Sequence, residues 1–207
     1  MRRFATIVGG FVLAAAAATP AGAGQAWGGT FGGGIVLPQD VAKEHLNNGW
    51  NLSSGSIRQM SRSVGLLTEV MYNRYGVSDA TLQSLQVPEG NARVLAGTLN
   101  LILGPGASGP GFYVVGGGGV YNRKIDFSKP TVAGVVVFDP WLGTAVPIVV
   151  PAGETIASFS TTKPGANAGV GIGLGKTTRV YFEARYHWIF TDKVKTTFIP
   201  INFGFRW

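Results

Sequence analysis

The stretch Arg179–Trp207 narrows what this chain can fold into more than any other. From Tyr181 to Phe190 it alternates two unlike sets of residues: Phe182, Ala184, Tyr186, Trp188 and Phe190 against Tyr181, Glu183, Arg185, His187 and Ile189. After a short polar connection, Thr191–Lys195, the pattern returns as Ile199, Ile201, Phe203, Phe205 and Trp207 against Phe198, Pro200, Asn202, Gly204 and Arg206. A period of two means a β-strand with two different faces. Each arm has about ten residues, the length of a tilted strand that crosses a bilayer. One face offers large apolar and aromatic groups; the other offers charge, amide and glycine. Strands that face lipid outward and a polar lumen inward read this way. The competing reading is the last strand of a soluble sandwich, and the rest of the chain weighs against it.

The chain has 207 residues, enough for one domain. Its 32 glycines are about twice the usual share and follow no collagen period. Charged residues make up 13%, about half the usual quarter. Mean hydropathy is +0.23, yet past the N-terminus no apolar run approaches the ~18 residues a spanning helix needs. An apolar chain without spanning helices is either a buried all-β domain or a barrel. Cysteine is absent, which excludes a disulfide framework, a thiol nucleophile and a cysteine-bound metal.

Met1–Ala26 reads as a targeting segment: Arg2 and Arg3, then the apolar Phe4–Ala18, then a break at Thr19-Pro20. Ala21 and Ala23 fit the small-x-small cleavage pattern, so residues 1–23 are expected to be a cleaved signal peptide, with Ala26 a second cleavage candidate. The remaining domain is 27–207. Removing two arginines lowers the formal net charge from +7 to 7 − 2 = +5. A basic exterior suits a polyanionic partner such as lipopolysaccharide phosphate, and nucleic acid is not expected outside the cell.

Strand-like segments follow at Trp27–Leu37, Gly49–Gln59, Val64–Tyr75, Arg93–Leu103, Phe112–Ile125 and Asn167–Gly175. With the closing hairpin they make eight. The connections alternate in size: 38–48 long, 60–63 short, 76–92 long, 104–111 short, 126–165 very long, 176–178 short. Within 76–92, Ser78 is placed to cap a short helix that Pro88 ends. Long loops on one side and short turns on the other are the topology of bacterial outer-membrane barrels. Val132–Phe138 and Ala145–Val150 inside the longest connection are β-prone. They extend strands above the membrane as a hairpin or add a pair to make ten; Pro140, Pro147 and Pro151 argue against regular spanning strands.

With strands, loops and terminus in place, the chain resembles the small outer-membrane β-barrel domains of the OmpA/OmpX type. The phrases that carry the likeness are Gly116–Tyr121 (GGGGVY), Tyr181–Phe190 (YFEARYHWIF) and Phe198–Trp207 (FIPINFGFRW). The resemblance implies an eight-stranded antiparallel up-and-down transmembrane barrel in a bacterial outer membrane, monomeric, in contact with outer-membrane lipid and lipopolysaccharide. It also implies that Ile199, Ile201, Phe203, Phe205 and Trp207 form the C-terminal signal read by the barrel assembly machinery. The usual last residue there is Phe, so Trp207 departs mildly from the pattern. No peptidoglycan-binding domain follows Trp207, and an anchoring role is not implied.

The inward faces are expected to hold Glu69, Asn73, Asn100, Glu183, Arg185, His187, Asn202 and Arg206. An eight-stranded barrel is just wide enough for side chains to fill. The cluster therefore reads as a packed polar plug of paired charges, with a gated narrow path as the alternative. Glycines 169, 171 and 204 are expected to leave room for Glu183 and Arg185. Lipid A deacylases are eight-stranded barrels with a catalytic His followed two residues later by Ser; here that position is Ile189, so His187 lacks a nucleophile. Two histidines without cysteine give no metal spacing, and no cofactor is expected. Gly116–Gly119 lacks a phosphate loop's Gly-Lys-Ser/Thr ending and is read as a site of close strand approach. The expected role is non-enzymatic, structural or surface-interacting through the loops. A narrow channel or carrier is the alternative, and a lipid A-modifying enzyme is the remote one.

Overall fold

The computed structural model describes residues 27–139, 144–175, 179–191 and 196–207. The expected signal peptide and the connection 176–178 lie outside the described residues. Eight strands run in chain order: β1 (Trp27–Pro38), β2 (Gly49–Ser61), β3 (Val64–Gly76), β4 (Glu89–Leu103), β5 (Gly111–Asp139), β6 (Thr144–Leu174), β7 (Arg179–Ile189) and β8 (Thr196–Arg206). Each pairs antiparallel with the next, and β1 pairs antiparallel with β8, closing the sheet into an up-and-down barrel. Closure leaves the barrel wall without an unpaired edge.

The faces follow the two-residue period. Val70, Leu99, Ile201, Phe203 and Phe205 are exposed on the outside, while Glu69, Asn100, Asn202 and Arg206 beside them in sequence are buried inside. Two aromatic girdles bound the apolar band, as lipid-facing barrels require at both interfaces. Trp27, Phe112, Phe205 and Trp207 lie at the end with the short turns. Trp50, Tyr72, Tyr186 and Trp188 lie toward the loop end, where Trp50 stands 5.6 Å from Tyr72 and Tyr186 stands 4.5 Å from Trp188. The last residue is tied into the wall: Trp207 N–H donates to Gly29 O at 3.1 Å and Gly29 N–H to Trp207 O at 3.0 Å. A Cβ at Gly28 would strike the Trp207 carbonyl and one at Gly29 its indole, so β1 needs glycine where the terminus docks.

At the loop end, α1 (Ala42–His45) and α2 (Asp79–Leu85) cover part of the rim. Ser78 precedes α2, but its hydroxyl makes no cap to the helix amides; it meets Thr81 Oγ1 at 3.0 Å and donates to Glu44 O at 3.3 Å, joining α2 to α1. The helix stops at Gln86 in the left-handed conformation, before Pro88 is reached.

The largest departure from the sequence reading is 126–165, which is not a loop. β5 and β6 stay paired from Gly111↔Gly173 up to Asp139↔Thr144, with a bulge beside Phe127/Ser128. They rise as a two-stranded ribbon beyond the end of β4, which begins opposite Ser128 at Glu89. Of the two options for Val132–Phe138 and Ala145–Val150, the raised hairpin is the one realised, and the wall keeps eight strands. Pro147 and Pro151 fit because each strand of the ribbon has only one neighbour, so a missing N–H can face outward without breaking a ladder; Pro140 lies outside the described residues. β4 also begins at Glu89 rather than Arg93, because the start of β5's rise gives Glu89–Ala92 a partner.

Candidate functional site

The inward side chains sort into three layers along the barrel axis. Next to the short turns, Ile57, Leu67, Ile102, Ala107, Tyr113 and Val115 form an apolar cluster. Toward the loops, Val36, Met71, Tyr75, Ala92, Val94, Ala96, Tyr121, Ile189 and Phe198 form a second. β3 shows the order in a single run of inward positions, with Glu69 between Leu67 and Met71. The ions therefore lie between two apolar layers.

The middle layer is a charge-balanced network of two carboxylates and two guanidiniums. Arg185 (1% exposed) grips Glu69 (2%) in a fork, Nη1 to Oε2 at 2.6 Å and Nη2 to Oε1 at 3.2 Å. Its Nε donates to Glu183 Oε1 at 2.5 Å. Glu183 Oε2 also accepts from Arg206 Nη2 at 2.9 Å and from the Tyr113 hydroxyl at 2.8 Å. Arg206 sits between two rings, its guanidinium carbon 4.3 Å from the Tyr181 centroid and 4.7 Å from that of Tyr113. The network spans four strands: Glu69 on β3, Tyr113 on β5, Arg185 and Glu183 on β7, Arg206 on β8. Charges this deep are tolerated only when paired and hydrogen-bonded, and a forked Arg–carboxylate contact is the strongest such pair.

All eight polar positions expected in the lumen are buried there, but they do not form one cluster. Glu69, Glu183, Arg185 and Arg206 join. Asn100 belongs to a separate amide group: it accepts from Asn167 Nδ2 at 2.8 Å and donates to Thr98 Oγ1 at 2.9 Å. Asn73 donates to Val94 O at 3.2 Å inside the upper apolar layer. His187 meets the Tyr121 hydroxyl at 3.0 Å through Nδ1 and stacks on Phe198 at 4.8 Å. Asn202 stands opposite Glu183 on the neighbouring strand. Sequence reasoning left Tyr113, Tyr181, Tyr121 and Asn167 out of the group, although the two-residue period puts all four on inward faces.

The glycine reading needs correction at two of three positions. A Cβ at Gly169 would collide with Arg185, as expected; one at Gly171 would meet the Tyr113 ring and one at Gly204 the Tyr181 ring. Tyrosines flanking Arg206, not the ions themselves, occupy that room. Gly117 and Gly119 abut the β4 backbone, where a Cβ would not fit. Pro200 interrupts the closing strand: β7 and β8 pair at Ala184↔Ile201 and again at His187↔Phe198, and not between.

Outside, at the loop-side margin of the apolar band, three cations stand directly opposite one another on adjacent strands: Arg74↔Arg93↔Lys124. Like charges so placed repel. Asp126 relieves them, 3.1 Å from Lys124 and 3.8 Å from Arg93. A hydrogen bond from Ser158, then the cations, holds its carboxyl below the ordinary carboxylate range. Among the described residues no group of His, Asp and Glu is placed to hold a metal ion.

No family model matches the chain, and no curated protein does. Solved structures do. Ail, the attachment invasion locus protein of Yersinia pestis, matches at TM-score 0.54 and 14% identity over 87% of this chain and 99% of that one, in a complex with the heparin analogue sucrose octasulfate. Neisserial surface protein A matches at TM-score 0.51 and 10% identity over 89% of this chain and 98% of that one. What is shared at such identities is the fold: a small closed up-and-down barrel of the kind bacterial outer membranes carry.

Proposed function

We propose that this is a bacterial outer-membrane protein with a sealed barrel, acting as a structural and surface-interacting element through what it holds above the membrane. One observation carries the reading: the Glu69–Arg185–Glu183–Arg206 network is buried between two apolar layers, so an ion entering from either end must cross dry side chains to reach it. The channel alternative would require both layers and the network to open together. The non-enzymatic reading is supported by the place of His187, which is held by Tyr121 and Phe198 inside the lumen, with Ile189 where a nucleophile would stand.

Its lipid partners follow from the outer face. The apolar band and its girdles suit hydrocarbon, and the Arg74–Arg93–Lys124 row suits the phosphates of lipopolysaccharide. Ile199, Ile201, Phe203, Phe205 and Trp207 suit the assembly machinery as an outward apolar row ending at the terminus. The test is planar-bilayer conductance of the reconstituted protein. The expected record is flat at physiological salt. Reproducible unitary openings would overturn the sealed barrel in favour of the channel.

A further inference from the structure

The ribbon's two edges are not equivalent, and the difference can be read from backbone pairing alone. In an antiparallel ladder, opposed residues alternate between pairs that exchange two hydrogen bonds and pairs whose N–H and C=O point away from each other. A proline fits only the second kind. Pro130 opposes Gly153, Pro151 opposes Val132 and Pro147 opposes Val136, so all three prolines fall in the same alternate set. Lower down, Pro164 opposes Val120 and its carbonyl is taken from outside the pair by Phe190 N–H at 2.9 Å, as that set requires. Hence β5 turns the N–H and C=O of 130, 132, 134, 136 and 138 away from β6, toward the side on which β4 has ended. Val132, Gly134, Val136 and Phe138 all keep their N–H. On β6 the outward positions are 145, 147, 149, 151 and 153, and Pro147 and Pro151 remove every second donor. The β5 edge is open and apolar; on β6 the prolines blunt 145–153, and 154–163, which pairs with no described strand but β5, is mostly polar and bounded by the charges of Glu154 and Lys163. No described strand other than β6 pairs with 129–139.

We infer that the open β5 edge, Val132–Phe138, pairs with the same edge of a second copy of this chain. Antiparallel pairing about Val135 sets 132 opposite 138 and 134 opposite 136, so every outward residue meets an outward residue; the two-fold lies across the rising strands and turns the two barrels to face each other, so the second copy stands in an apposed membrane or a second micelle. Four such pairs would exchange about eight hydrogen bonds. The occupant is argued from the asymmetry. Two open apolar edges would let copies add without end; one is used up when two copies meet, and on the far side the prolines of 145–153 and the polar, charge-bounded 154–163 stop growth. The segment VAGVVVF carries no charge and no proline, the composition that a protein does not leave uncovered as a free edge. This pairing replaces the monomer expected from the sequence. It rests on the reading of the protein as acting through what stands above its barrel. Conductance tests that reading and cross-linking tests this one, so either can fail alone.

The chain has no cysteine, so a single introduced thiol reports cleanly. Val135→Cys places two thiols across the two-fold in a pair whose Cα atoms are about 4.5 Å apart, within disulfide reach. In detergent micelles under mild oxidation it should give a disulfide-linked dimer as the main product. Val149→Cys, on the blunted β6 edge, should give at least about fivefold less. Adding Gly134→Pro and Val136→Pro to Val135→Cys should abolish the dimer, while unchanged heat-modifiable gel mobility shows the barrel is intact. Equal yields at 135 and 149, no dimer at 135, or a dimer that survives the prolines would each overturn the inference. Cross-linking in whole outer membranes only to chains of another size, with none in micelles, would assign the edge to a different protein and overturn it as well.

Discussion

β5 and β6 each belong to two regions built on opposite rules. Lower down they lie in a closed wall, each with a partner on both sides; β5 loses β4 above Ser128 and β6 loses β7 above Gly165, and beyond both points they have only each other. Glycine is dense in the lower part, at 116–119, 165, 169, 171 and 173, against Gly134 and Gly153 above; proline stands at 130, 147 and 151 in the ribbon and at 164 where β6 leaves β7. In the wall, inward Cβ atoms would strike lumen side chains or neighbouring backbone, as at Gly169 and Gly117. In the ribbon, outward N–H groups have no ladder to serve, so proline is harmless. The contrast separates where the fold's stability is committed from where the chain is free to change.

The sharpest way to break that contrast is at Glu183. It accepts from Arg185, Arg206 and Tyr113 at once. Glu183→Gln should leave a buried positive charge without compensation, a change that costs about 3–5 kcal/mol, read as a lower urea midpoint in micelles. Arg206→Met should also destabilise. The double variant retains the forked Glu69–Arg185 pair, which is neutral by itself, so it should cost less than the sum of the singles. Strict additivity would mean that Glu183 and Arg206 share no network.

Next in size is the outer face. Leu99 is 53% exposed in the apolar band on β4. Leu99→Arg should cost about 2–4 kcal/mol if that surface meets hydrocarbon near the midplane. A variant that assembles and melts like the parent would remove lipid from the argument and leave the barrel a soluble one.

The wall was legible in the sequence because its two faces differ in chemistry. Phe203 and Asn202, or Val70 and Glu69, are sorted by a period of two with no knowledge of partners. What could not be read was which inward groups meet. Glu69 and Arg185 lie far apart in the chain and touch only because β3 and β7 face each other across a closed barrel. The tyrosines around Arg206 were passed over for the same reason: an inward Tyr on β5 or β7 becomes a partner only once register places it. The ribbon stayed open between two readings for a different cause. Its residues are apolar at both parities, so period two has nothing to sort, and proline reads as a breaker until one edge is known to be free.

A smaller effect tests whether ion pairing matters by place or by kind. Asp126 pairs with Lys124 and Arg93 as Glu183 does with its arginines, but at the surface. Asp126→Asn should cost no more than about 1 kcal/mol, and the difference should fade in ~1 M salt, where the screening length is about 3 Å. Because the folded carboxyl sits below its ordinary value, this contribution is present above the unfolded-state value and is lost as pH falls through the folded one. Asp126→Asn should therefore flatten a shallow loss of stability on acidification. A penalty equal to that of Glu183→Gln would mean the rim is as dry as the lumen, and the contrast would fail.

The smallest expected effect is the loss of the ribbon itself. Lys129 and Glu154 oppose each other across β5 and β6, so residues 130–153 can be removed and the ends joined by Asn-Gly, the two-residue turn that suits an antiparallel pair. No described strand outside β5 and β6 pairs with the deleted segment, so every ladder of the wall survives. A two-stranded ribbon by itself adds little stability, and shortening a connection recovers only about 0.6 kcal/mol of closure entropy per halving. The shortened chain should assemble, keep its heat-modifiable mobility and unfold within about 0.5 kcal/mol of the parent. It should also lose self-association, since the open edge goes with the deletion. A drop of several kcal/mol would show that the ribbon braces the wall, and β5 and β6 would then be single elements under a single rule.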